Sequence, residues 1–78
     1  SAEKITYGKN DVQISGMILH SFDEPLVLVQ SKGFVYQLRK SEIGTSDARK
    51  MEVPGSRVRL HAPIAAVTFV WPVNPSEI

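Results

Sequence analysis

The chain is expected to fold as an all-β domain, a small, strongly bent barrel of about five to six strands. Three observations predict it: apolar and polar residues alternate with period two in short segments, clusters of Gly, Asn, Asp, Pro and Ser interrupt these segments every ~8–12 positions, and helical periodicity is nearly absent. At 78 residues there is room for one domain only. It is placed over residues 1–71, with an irregular tail over 72–78, where Pro72 and Pro75 oppose regular pairing.

The elements follow in order. Ile5 and Tyr7 alternate with Lys4 and Thr6, and Gly8-Lys9-Asn10-Asp11 supplies a turn before Val12, Ile14, Ile18 and Phe22 resume the apolar series. Pro25 cannot donate to a ladder, so the next strand is expected over 26–30. Ser31-Lys32-Gly33 then turns the chain into a strand over 34–39. A short helical turn is expected near 46–52, within the segment 45–52: Ser46 is placed to cap it, Asp47 stands where a helix dipole favours an acid, and Pro54-Gly55 stops it. Two strands are expected over 56–61 and 65–71, with a turn at Ala62-Pro63 between them. The last is apolar on both faces, as a strand is when one face lies in the barrel and the other beneath the tail or a neighbouring subunit. Val67, Phe69 and Trp71 are the residues of that strand assigned to an oligomer interface. Trp71 fits either the core or an interface anchor.

The composition points toward self-association. A chain this short usually needs a disulfide, a metal or a partner subunit to be robust. There is no cysteine, and His20 and His61 lack the close spacing of a metal clamp, so neither a metal nor a cofactor is expected and a homo-oligomer is. No apolar run is long enough for a membrane span, and the first residues lack the pattern of a secretion signal, so cytoplasm is the default compartment and no membrane partner is expected.

No enzyme is expected. Ser21, Asp23 and His20 are close in sequence, but neighbours in a strand point to opposite faces, so they form no local relay. Phosphate-cradling loops, nucleophile elbows and zinc-binding histidine pairs do not occur in the sequence. Charge is more informative. The net charge is +1, yet Lys32, Arg39, Lys40, Arg49, Lys50, Arg57 and Arg59 face only Glu42, Asp47 and Glu52 between positions 32 and 61, while residues 1–31 are net acidic. Arg57, Arg59 and His61 alternate with Val58 and Leu60, which sets three donors on one strand face about 6.5–7 Å apart, near the phosphate spacing of an extended single strand. Arg39 and Lys40 extend that face, with Tyr36 or Phe34 as an aromatic platform for a base. The plainer reading is solubility charge outside and core aromatics inside. Tyr36 shares its face with Phe34 and Leu38, which argues for the core. His61 is read as an exposed polar residue before a turn rather than a proton switch.

Gly16-x-Ile18, Ser21-Phe22-Asp23-x-x-Leu26-Val27-Leu28-Val29, Val35-Tyr36 and Ser41-x-Ile43, within residues 12–43, resemble the Sm-like (SH3-like) small barrel, and most nearly the Hfq-type RNA chaperones. The resemblance implies a bent five-stranded barrel, a ring of about five to seven subunits joined through edge strands, and single-stranded RNA held on the ring. Glu24-Pro25 stands where the family carries Gln-Phe, and of the family's Lys-His pair only Lys40 has a counterpart. This describes a divergent relative of the kind a phage or mobile element carries. The alternative function is a protein-interaction or assembly module of a phage or bacterial complex, docking through the apolar C-terminal strand.

Overall fold

A computed structural model describes residues 11–21 and 25–73. The expected strand at Ile5 and Tyr7, the Phe22-Asp23-Glu24 segment and the tail from position 74 lie outside the described residues. Within them the chain is all-β: β1 Asp11–Ser21, β2 Leu26–Ser31, β3 Phe34–Arg39, β4 Arg57–Pro63 and β5 Val67–Pro72. They form one antiparallel sheet in the order β4-β1-β2-β3-β5. The sheet does not close, because β4 and β5 are its two outer strands and share no ladder. They are nevertheless consecutive in sequence, joined only by a 3₁₀ turn, Ile64–Ala66.

That arrangement requires a sharply bent β1. Its residues from Asp11 to Met17 pair with β4, whereas those from Met17 to Ser21 pair with β2. The exchange takes place beside Gly16, where a Cβ would collide with the Gln30 carbonyl oxygen and lie 3.0 Å from Ser31 Cβ. Glycine is thus required by close approach of two backbones. Ser31, the buried polar residue of β2, satisfies its hydroxyl by donating to the Ser15 carbonyl at 2.6 Å.

The β2–β3 hairpin turns through Lys32 at φ 53° and Gly33 at φ 87°, the paired positive values of a type I′ turn, whose twist matches that of the strands. Inward residues of successive strands, Ile14, Ile18, Val27, Val29, Leu38, Val58 and Leu60, meet Met51 in one core, with Val12, Tyr36, Ile43 and Val67 packed against it. No helix among the described residues is long and apolar enough to cross a membrane.

Several expectations change in detail. Ala62 and Pro63 do not turn; they remain in β4 opposite Val12 and Asp11, and the chain turns at Ile64–Ala66. Pro63 tolerates this because it ends the strand. The short helical turn is the 3₁₀ turn Lys50–Glu52, and Ser46 does not cap it. Instead the Thr45 hydroxyl accepts the Asp47 N–H, and the Asp47 carbonyl accepts the N–H groups of Lys50 and Met51. β5 extends through Pro72, so the ladder outlasts position 71. Tyr36 is half-buried and packs against the core, whereas Phe34 is 44% exposed.

Candidate nucleic-acid interface

The candidate surface is built on β4, an outer strand with one face in the core. Val58, Leu60 and Ala62 are buried, and the alternate residues Arg57 and Arg59 are therefore exposed. His61 is half-buried: its ring lies over Gly44, and its Nδ1 is 3.9 Å from an Asp11 carboxylate oxygen. The two arginines make no side-chain hydrogen bond or ion pair among the described residues, so their guanidinium donors face solvent.

Two further cations join this surface. Shallow hollows run along the β1–β4 face: one is bordered by Lys50, Arg57 and Arg59, and the next by Lys32 and Arg57, with Ser15 and Gly16 common to both. Sequence reasoning missed Lys32 and Lys50 because both lie in turns, where no strand periodicity assigns a side. Asp47 borders the first hollow but is engaged: one carboxylate oxygen accepts the Arg59 N–H at 3.1 Å and the other lies 3.8 Å from the Lys50 ammonium.

Arg39 and Lys40 do not border these hollows. Arg39 is bound to the Glu42 carboxylate at 2.9 Å and to the Ala65 carbonyl at 2.7 Å. Lys40 donates to Glu52 at 2.8 Å and to the Ser21 hydroxyl at 2.9 Å, and that hydroxyl in turn donates to the second Glu52 oxygen at 3.0 Å. This Ser21-Lys40-Glu52 triangle clamps the ends of β1 and β3 to the Lys50–Glu52 turn.

The clamp is pH-sensitive. Hydrogen bonds from Lys40 and then from Ser21 hold the Glu52 carboxyl below its ordinary value of 4.5. A lowered carboxyl pKa stabilises the fold above the unfolded-state value, and the contribution is lost as pH falls through the folded-state value. The native chain is therefore expected to melt above Glu52→Gln at neutral pH, with the gap closing below about pH 4.5. Melting temperatures of both proteins between neutral pH and about pH 3 test this; a constant gap would contradict it.

The β1–β2 register shifts between Ile18 and His20, so Leu19 is an inserted residue and exposed His20 falls out of phase with core-facing Ile14 and Ile18. A second shift, between Gln37 and Leu38, sets Thr68 as the extra residue of β5. Val67 therefore packs against the core, while Phe69 and Trp71 stand together with ring centroids 5.2 Å apart. Phe69 is 60% exposed. Compared with known proteins, the chain matches no family model, no curated protein and no solved structure.

Proposed function

We propose that this chain is a non-enzymatic, homo-oligomeric RNA-binding protein of the Sm-like small-barrel type, holding single-stranded RNA along β4. The bent sheet, with its outer strands joined by a single 3₁₀ turn, supports the barrel reading. The observation that carries the binding reading is the contrast among cations: Arg57 and Arg59 are exposed and point from one strand face without side-chain partners among the described residues, whereas Arg39 and Lys40 are tied to Glu42 and Glu52. Guanidinium groups at alternate strand positions suit successive phosphates of an extended strand. Lys32 and Lys50 widen the path, while Arg39 and Lys40, paired with Glu42 and Glu52, take no direct part in this reading.

The test is the salt dependence of oligo-U and oligo-A RNA binding. Replacing Arg57 and Arg59 together with Ala is expected to weaken binding at least about tenfold and to flatten the slope of log K against log salt by about 1.4, near 0.7 per lost phosphate contact. Arg39→Ala should leave the slope unchanged. Equal affinity and slope in the double variant would remove the assigned surface.

A second reading is favoured by the exposed Phe69 and its neighbour Trp71. An assembly or protein-interaction module of a phage or bacterial complex would dock through β5 and show no salt-sensitive RNA affinity. In that case Trp71→Ala abolishes partner binding while the arginine changes do little.

A further inference from the structure

The two outer strands of the sheet differ in how their open sides are treated. On β4, the main-chain groups of Arg59 and His61 point away from β1, and all four are satisfied by the chain itself. The Arg59 N–H donates to the Asp47 carboxylate and its carbonyl accepts from the Thr45 hydroxyl. The His61 N–H and carbonyl exchange hydrogen bonds of 2.9 and 2.7 Å with Gly44. The segment 44–47 thus acts as a false strand, and Pro63 at the end of β4 has no N–H to offer. From Arg59 to Pro63 this edge is blunted in the way proteins prevent strand addition, and only the outward main-chain groups of Arg57 are left uncovered among the described residues, too short a stretch to pair a strand.

β5 has no such cover among the described residues. Its outward groups follow from the ladder. The Val73 N–H donates to the Gly33 carbonyl, and bonded and non-bonded pairs alternate along an antiparallel ladder. Trp71 and Phe69 therefore turn their main-chain groups toward β3, and Val70 turns its N–H and carbonyl outward. The strand reads Val67-Thr68-Phe69-Val70-Trp71-Pro72, with no charged side chain.

We infer that β5 pairs antiparallel with β5 of a second copy, about a two-fold axis at Val70. A ring joined through edge strands needs two open edges per chain; with β4 capped, each chain has one, and a single self-complementary edge closes as a two-fold dimer. The register is set by chemistry. Centred on Val70, the strands exchange two hydrogen bonds between the Val70 residues, and Phe69 of each copy stands opposite the second copy's Trp71. Two cross-strand aromatic pairs result, the arrangement that most favours a particular strand register. An uncharged strand meets its own copy without like-charge repulsion, and offers a charged partner nothing to pair with. The inference specifies the self-association within the reading above and rests on it for the expectation of an oligomer. It does not depend on RNA.

Sedimentation of the full chain from about 1 µM to several hundred µM, without RNA, tests it. A monomer–dimer equilibrium is expected, insensitive to salt, with emission of the single tryptophan, Trp71, shifting to the blue as dimer forms. Val70→Pro removes the N–H at the axis but no hydrogen bond to β3, and is expected to weaken dimerisation at least about tenfold. Phe69→Lys, at an exposed position, should do the same with unchanged circular dichroism, and carries the test if Val70→Pro does not fold. A monomer throughout the range, closed rings larger than a dimer, or a dimer that survives Phe69→Lys would each overturn the inference. Failure of the RNA reading shows in the β4 arginine variants, and failure of the dimer in self-association measured without RNA.

Discussion

Gly16→Val is expected to leave most of the chain unfolded under conditions where the native protein is folded. The new side chain would meet the Gln30 carbonyl oxygen and Ser31 Cβ, and a carbonyl in a ladder cannot move aside as the end of a flexible side chain can. Relief requires separating β1 from β2 next to the Met17–Gln30 pair, where β1 leaves one strand for the other. Ser31, whose hydroxyl bonds the Ser15 carbonyl across this gap, would lose its partner inside the protein. Overpacking costs ~1–3 kcal/mol, and a lost buried hydrogen bond adds ~1 kcal/mol or more. A domain of this size is stable by only about 5 kcal/mol, so the sum removes most of its margin. Urea unfolding followed by circular dichroism should show a lost or strongly lowered midpoint; a native midpoint for Gly16→Val would refute the bend at this position.

The elements themselves were legible because alternation and turn chemistry act locally. The segment 34–39 and its turn at Lys32-Gly33 follow from residues adjacent in the chain, and the structure has both. Neighbours were less legible. Alternation states which face of β4 is buried but not that β4 crosses to pair with β1, which is a property of the curled sheet. Inserted residues were invisible for a related reason: Leu19 and Thr68 look like any strand residue, yet each reverses the side-chain phase beyond it. His20 and Val67 consequently occupy faces that counting in twos would not give them. At the candidate site, Arg57 and Arg59 were readable from their alternation with Val58 and Leu60. The withdrawal of Arg39 and Lys40 was not, since it depends on Ala65 and Glu52, which only folding brings near. The sequence places Asp47 where a helix dipole favours an acid, but its carboxylate instead closes the edge of β4 by accepting the Arg59 N–H. A short polar side chain competes for main-chain donors in whichever geometry the fold presents.

Leu38→Ala and Phe69→Ala should separate a residue expected in the core from one expected at an interface. Leu38 is fully buried in the cluster of Ile18, Val27 and Val29, and truncating it removes those contacts and leaves a cavity that a sheet-backed core fills poorly. A loss of ~3 kcal/mol or more is expected, most of the stability of so small a domain. Phe69, 60% exposed, has little buried area to lose in the single chain, and its truncation should cost under about 1 kcal/mol at low protein concentration. The contrast should weaken as concentration rises: if β5 pairs with a second copy, the native dimer gains stability by mass action that Phe69→Ala forfeits, while the deficit of Leu38→Ala is already present in the monomer. Urea midpoints of both variants at two protein concentrations test this directly. Equal losses at low concentration would mean that the outer face of β5 is covered within one chain, which would remove the surface on which both the dimer and a docking role depend.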